Sequence, residues 1–124
     1  MLNQAIIVGR IVKEPEVKET EKGKKVSNIT LAVQRPYKND DGEYDVDYLD
    51  CVLWEGLAEN TVAYCQKGDL IGIKGRIGST YNAQKQHVME IVAERVSFLS
   101  AKKNVDDSAV DITALNDYLT SISE

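Results

Sequence analysis

Four aromatic side chains stand among polar residues rather than among the isoleucines, leucines and valines: Tyr37, Tyr48, Trp54 and Tyr81. Aromatic residues make up only 6% of the 124-residue chain, so their placement is informative. Basic residues interleave with them. Arg35 and Lys38 flank Tyr37, Lys74 and Arg76 precede Tyr81, Lys85 follows it, and Arg10 closes the first apolar run. Flat rings beside cations suit one kind of chemistry: the rings stack on unpaired bases while the cations follow the phosphates of a single strand. Tyr48 and Trp54 lie six apart in an alternating run, hence on one face and roughly 20 Å from each other at ~3.3 Å per residue. That separation serves distinct bases rather than one pocket. For any single ring, packing under a loop or against another subunit is the plainer alternative; for any single cation, it is a solvated surface charge. The expectation rests on the set.

Other chemistries find little footing. The one histidine, His87, has no second ligand at metal spacing. The acidic loop Asn39 to Asp47 invites a calcium reading. Aligning Gly42 with the turn glycine of a helix–loop–helix calcium site, however, puts Tyr37 and Tyr48 at the first and twelfth ligand positions, and neither is a carboxylate. No Gly-rich phosphate cradle of the GxxxxGK[ST] type occurs, and no Ser or Cys has a base nearby in sequence. The expectation is a binding protein, not an enzyme, with no metal and no cofactor. Cys51 and Cys65, without CxxC spacing, read as buried, reduced thiols.

Five strand-like runs and one helix-like run must position these residues, in the order β-β-β-α-β-β. The first spans about Asn3 to Val12. In the second, Ile29, Leu31 and Val33 point one way and Asn28, Thr30 and Gln34 the other, until Pro36 ends it. Asn39-Asp40-Asp41-Gly42 is a tight-turn sequence that joins it to the third, Val46 to Trp54. There Leu49, Cys51 and Leu53 share one face, and Tyr48, Val52 and Trp54 the other. Leu57 to Gln66 reads as a short helix with Leu57, Ala58, Val62 and Cys65 near one side and Gly68 as a stop. The fourth strand, Leu70 to Tyr81, turns Ile71, Ile73 and Ile77 inward and Lys74 and Arg76 outward, and Gly72, Gly75 and Gly78 permit sharp bending. The fifth, Gln86 to Leu99, keeps Val88, Val92, Val96 and Phe98 in phase. This order is that of an all-β, five-stranded OB-fold barrel with one short helix between strands three and four.

The net charge of −5 is unevenly spread. All 15 basic residues and an equal number of acids lie in residues 1–103, whereas Asp106, Asp107, Asp111, Asp117 and Glu124 fall beyond it. Residues 1–103 therefore read as the barrel domain and 104–124 as an acidic tail. A neutral barrel can still carry a positive groove, because salt screens charges beyond roughly 8–10 Å. In the tail Ile112, Leu115, Leu119 and Ile122 recur at helical spacing behind Asp111, a plausible cap. The amphipathic helix so formed has three fates open to it: packing on the barrel, binding a partner, or disorder. No run approaches the ~18 apolar residues of a membrane span, and the start lacks a signal-peptide pattern. A cytoplasmic, nucleoid-associated protein is expected.

The chain closely resembles the bacterial single-stranded DNA-binding proteins. The matching stretches are Met1-Leu2-Asn3, Val8-Gly9-Arg10, Glu14-Pro15-Glu16-Val17 and Ile29-Thr30-Leu31-Ala32-Val33. They continue with Asp47-Tyr48-Leu49-Asp50-Cys51-Val52-Leu53-Trp54, Leu57-Ala58-Glu59-Asn60 and Lys67-Gly68-Asp69-Leu70. The resemblance implies an OB-fold subunit, normally a homotetramer, that wraps single-stranded DNA in replication, recombination and repair. It also places base-stacking aromatics at positions matching Tyr37, Tyr48, Trp54 and Tyr81. Three departures stand out. Glu55-Gly56 follows the third-strand aromatic where relatives often carry basic residues, and Gly78-Ser79-Thr80 stands where an arginine is common. Both should weaken binding and make the salt slope shallower, by about 0.7 per lost phosphate contact. The tail ends Thr120-Ser121-Ile122-Ser123-Glu124 rather than in the usual Pro-Phe that docks replication or repair proteins. The alternative reading is an OB-fold protein-interaction module of replication or primosome assembly, with secondary nucleic-acid affinity.

Overall fold

In the computed structural model, which describes residues 1–100, Ile7, Ile11, Ile29, Leu31, Cys51, Leu53, Ile71 and Ile73 close around one core. Their period-two spacing is what makes these segments strands, since each presents one apolar edge inward. The elements run β1 (Ala5–Ile11), β2 (Lys18–Glu19), β3 (Lys25–Lys38), β4 (Tyr44–Trp54), α1 (Gly56–Tyr64), β5 (Leu70–Tyr81) and β6 (His87–Phe98). β2 is a two-residue addition that pairs with the start of β3. The other five strands lie in the order β1-β5-β6-β4-β3, and β1 also pairs with β3 through Arg10↔Ala32 and Ile11↔Leu31, which closes the barrel. The β4–β6 seam is parallel and has just two paired positions, Cys51↔Ile91 and Val52↔Val92. Helix α1 turns Ala58 and Thr61 inward and packs against β3, β4 and β6. A closed five-stranded barrel with one helix between its third and fourth strands is the OB-fold. The boundary at 103 and the acidic tail, with its amphipathic helix, lie outside the described residues.

Several local expectations need correction. Pro36 does not end the second barrel strand. β3 continues to Lys38, and the proline sits where pairing with β4 lapses between Gln34↔Val46 and Lys38↔Tyr44, so its missing N–H costs no ladder bond. The helix stops at Tyr64, and Thr61 rather than Val62 is its second buried residue. Val52 is buried although it shares a face with the exposed Tyr48 and Trp54. The single phase assigned to the last strand breaks at a bulge: Lys74 faces Arg95 but Gly75 faces Ala93, so Glu94 has no opposite number. The extra residue flips the inward set, and Ile91 and Ala93 face the core while Val88 and Val92 do not. Gly75 makes the bulge feasible, because a Cβ there would overlap the Val92 carbonyl. Beyond it the β5–β6 hairpin leaves the barrel, and Ile77, expected inside, is 47% exposed.

The cysteines behave as expected. Both are buried and neither is disulfide-bonded, and burial, with Asp50 nearby, pushes the Cys51 thiol up to about 12. Such a thiol is protonated and inert at neutral pH.

Candidate nucleic-acid interface

Three hairpin tips share one local construction, and two of them carry the flanking aromatics. At Asn39 the side-chain oxygen accepts from the Asp41 and Glu43 N–H groups at 2.9 and 3.0 Å, and Gly42 adopts φ +78°. Asn82 repeats this with the N–H groups of Gln84 and Gln86 at 3.0 and 2.9 Å, and Lys85 takes the left-handed position at φ +60°. The third tip, Thr20 to Lys24, uses a threonine hydroxyl and Gly23 in the same way. Asn, Thr and Gly are the residues whose side chains, or lack of one, make such reversals cheap. The first tip follows Tyr37 and Lys38; the second separates Tyr81 from His87, whose rings lie 5.5 Å apart.

All four predicted rings are at the surface, Tyr37 62%, Tyr48 67%, Trp54 40% and Tyr81 71% exposed. Cross-strand register fixes their neighbours. Arg10, Ala32 and Tyr48 form one row across β1, β3 and β4, which puts Arg10 roughly 10 Å from Tyr48 at ~4.8 Å per strand. A second row, Asn28, Val52, Val92 and Arg76, crosses β3, β4, β6 and β5 on the same outer face, between the Tyr48 and Trp54 levels. Arg10 also donates from Nη1 to the Gly68 carbonyl at 3.0 Å, which ties it to the loop before β5. Lys74 sits apart. Its row is Ile6, Lys74 and Arg95, and β5 borders β1 and β6 rather than β4, so no predicted ring shares that row. Arg35 is engaged by acids: Nε and Nη2 lie 3.1 and 2.9 Å from Asp47 Oδ1, and Nη1 lies 3.6 Å from Asp45.

Between β4 and β6 the barrel wall opens into a groove, because only two residue pairs hold that seam. Tyr48, Leu49 and Asp50 form one bank and Met89, Glu90 and Ile91 the other, with Ile77 and Ala5 beside them, around a volume of about 410 Å³. The groove joins Tyr48 to the hairpin that bears Tyr81. Asp50 accepts a 2.8 Å hydrogen bond from the Thr30 hydroxyl, so the middle of the face offers polar partners suited to base edges rather than to phosphates.

Sequence reading missed three contributors. Lys24 borders the same recess as Trp54 and Glu55, Tyr44 holds the Lys38 ammonium 5.7 Å from its ring centroid, and Met89 is exposed on the groove bank. Tyr44 was legible, since it is in phase with Tyr48 once β4 is allowed to begin at 44. Lys24 was not, because only the β2–β3 turn brings it to Trp54. Among the described residues, no cluster of three or more metal-ligating side chains occurs and no helix is long and apolar enough to cross a membrane.

An OB barrel with rings and cations displayed on its outer face defines an oligonucleotide-binding module. The chain belongs to the single-strand binding protein family, whose model matches residues 2–99. It is similar to Single-stranded DNA-binding protein B of Bacillus subtilis (strain 168), 42% identical over 106 residues that cover 82% of this chain and 94% of that one. It is also similar to Single-stranded DNA-binding protein 3 of Listeria innocua, 42% identical over 108 residues, 84% of this chain and 68% of the relative. The Single-stranded DNA-binding protein of Halalkalibacterium halodurans is 42% identical over 106 residues, and there the match spans 63% of the relative's length. These relatives are named as binding proteins, not as enzymes.

Proposed function

We propose that this protein binds single-stranded DNA without sequence preference and shields it during DNA replication, recombination and repair. It acts as a homotetramer in the cytoplasm, on exposed strands of the nucleoid. Bases stack on Tyr37, Tyr48, Trp54 and Tyr81, and Arg10, Lys38, Arg76, Lys85 and the more distant Lys74 neutralise phosphates. The observation that carries this reading is the exposure of all four rings on a barrel whose core needs none of them. Rings that the core does not use keep a face open to bases, and every base has a flat face to offer, which is why sequence matters little. The apolar side chain of Ile6, left exposed on β1 outside the groove lining, supports association between subunits. The acidic tail contacts replication or repair proteins.

The test uses the single tryptophan. Adding oligo-dT at low salt should quench Trp54 emission, and the binding constant should fall as salt rises, by about 0.7 log units per phosphate contact for each tenfold increase. A silent titration would leave the OB-fold interaction module as the better reading, and the mass of the protein in solution checks the tetramer. Glu55 offers a second check. Its carboxylate borders the Trp54 recess with Lys24, so Glu55→Lys should tighten binding and steepen the salt dependence by about 0.7. An unchanged slope would mean that no phosphate passes that side of Trp54.

A further inference from the structure

Arg35 was expected to meet phosphates, yet its surroundings assign it other work. Its side chain lies where the β3–β4 ladder fails. Regular pairing runs from Val26↔Trp54 to Gln34↔Val46 and resumes at Lys38↔Tyr44, so Arg35, Pro36 and Tyr37 stand against Asp45 alone. Pro36 has no N–H to contribute. From that gap the guanidinium reaches Asp45 within it, Nη1 3.6 Å from Oδ2, and Asp47 beside it, which pairs with Val33: Nε lies 3.1 and 3.2 Å from the two Asp47 carboxylate oxygens and Nη2 2.9 Å from the first. Each guanidinium nitrogen thus faces a carboxylate, in the two-pronged geometry that distinguishes a strong arginine pair from an incidental one. The Arg35 side chain holds Asp47 below the usual carboxylate range, and Asp47 in turn raises Arg35.

We propose that Arg35 is a positioning residue: with Asp47 and Asp45 it replaces the missing rungs of the ladder and holds Tyr37 and the 38–44 hairpin tip in their stacking position, rather than neutralising a phosphate. This rests on the single-strand-binding reading above. The trio of one cation and two carboxylates carries a net negative charge, and the same hairpin adds Asp40, Asp41 and Glu43, so a phosphate gains little at Arg35 itself and is left to Lys38, over the Tyr44 ring. The brace is intact at neutral pH. Because the Asp47 carboxyl titrates below its usual value, the contribution is lost as pH falls through that lowered value, not as it rises.

The test compares Arg35→Gln, Asp47→Asn and the exchanged pair Arg35→Asp with Asp47→Arg, each titrated with oligo-dT across a salt series. Both single variants should weaken binding in parallel by about fivefold, the low end of what one stacked base contributes, with the salt slope unchanged. The exchanged pair should recover most of the loss. A slope shallower by about 0.7 in Arg35→Gln, or tighter binding in Asp47→Asn, would overturn the proposal in favour of a phosphate ligand restrained by acids. Amide exchange at Asn39 and Gly42 gives a readout independent of DNA. It should accelerate in both single variants, and unchanged exchange would also overturn the brace. If the wild-type protein ignores oligo-dT, the functional reading fails, and amide exchange alone decides the brace.

Discussion

Replacing Tyr48 and Trp54 together by alanine is expected to weaken oligo-dT binding by about 2–6 kcal/mol, the sum of two stacked bases. Even the lower figure is roughly a 30-fold loss. The contributions should add, because the two rings lie roughly 20 Å apart on β4. Stability should change little for Tyr48, which is 67% exposed, and somewhat more for Trp54, which is 40% exposed. The double variant has no tryptophan, so anisotropy of a labelled oligonucleotide replaces emission as the readout. Should affinity fall less than threefold while thermal unfolding stays put, neither ring belongs to the interface. Should the single losses sum to far more than the double loss, the rings touch one base rather than two, and the path along β4 would need redrawing.

The second large effect concerns the scaffold. Gly75→Ala should destabilise the protein by about 3 kcal/mol, the upper end of ordinary overpacking costs. The added Cβ meets the backbone carbonyl of Val92, which cannot rotate aside, whereas a Cβ at Gly78 meets the Val92 methyl at 3.1 Å, which can. Gly78→Ala is therefore the matched control. Thermal unfolding should show Gly75→Ala melting at least 10 °C lower, at roughly 4–8 °C per kcal/mol for a domain of this size, with Gly78→Ala close to wild type. Equal melting points would mean that the bulge at Glu94 is not held by that contact. The consequence reaches function, because the bulge marks the point beyond which the β5–β6 hairpin leaves the barrel with Tyr81 and the groove residues Ile77 and Met89.

Much of this was open to a reader of the chain alone. Alternation in Ile29-Thr30-Leu31 and in Leu49-Asp50-Cys51-Val52-Leu53 settles two strands and their inward faces, since a residue and its second neighbour must share a face of a pleated strand. The four aromatics were legible for the converse reason: they fall outside the apolar phase or at turns, and a large ring placed there stays wet unless something external covers it. The tip at Gly42 was equally plain.

Three-dimensional closure settled the rest, because period-two counting knows nothing of partners. The bulge at Glu94 exists only by comparison with β5, and it reversed the faces of Val92 and Ala93, while Ile77 is exposed because β5 has there run past its last pairing with β1, Ala5↔Gly75. Strand order put Arg76 into a row with Val52 and left Lys74 beside Ile6 instead, although the two cations are neighbours in phase along the chain. Arg35 differs from Arg10 in nothing that composition can express. Its carboxylate partners, twelve and ten positions away, come opposite it only when β4 folds back on β3 and the ladder between them lapses. Local chemistry decides which residues could act, and the company each one keeps is set by pairings between segments far apart in the chain.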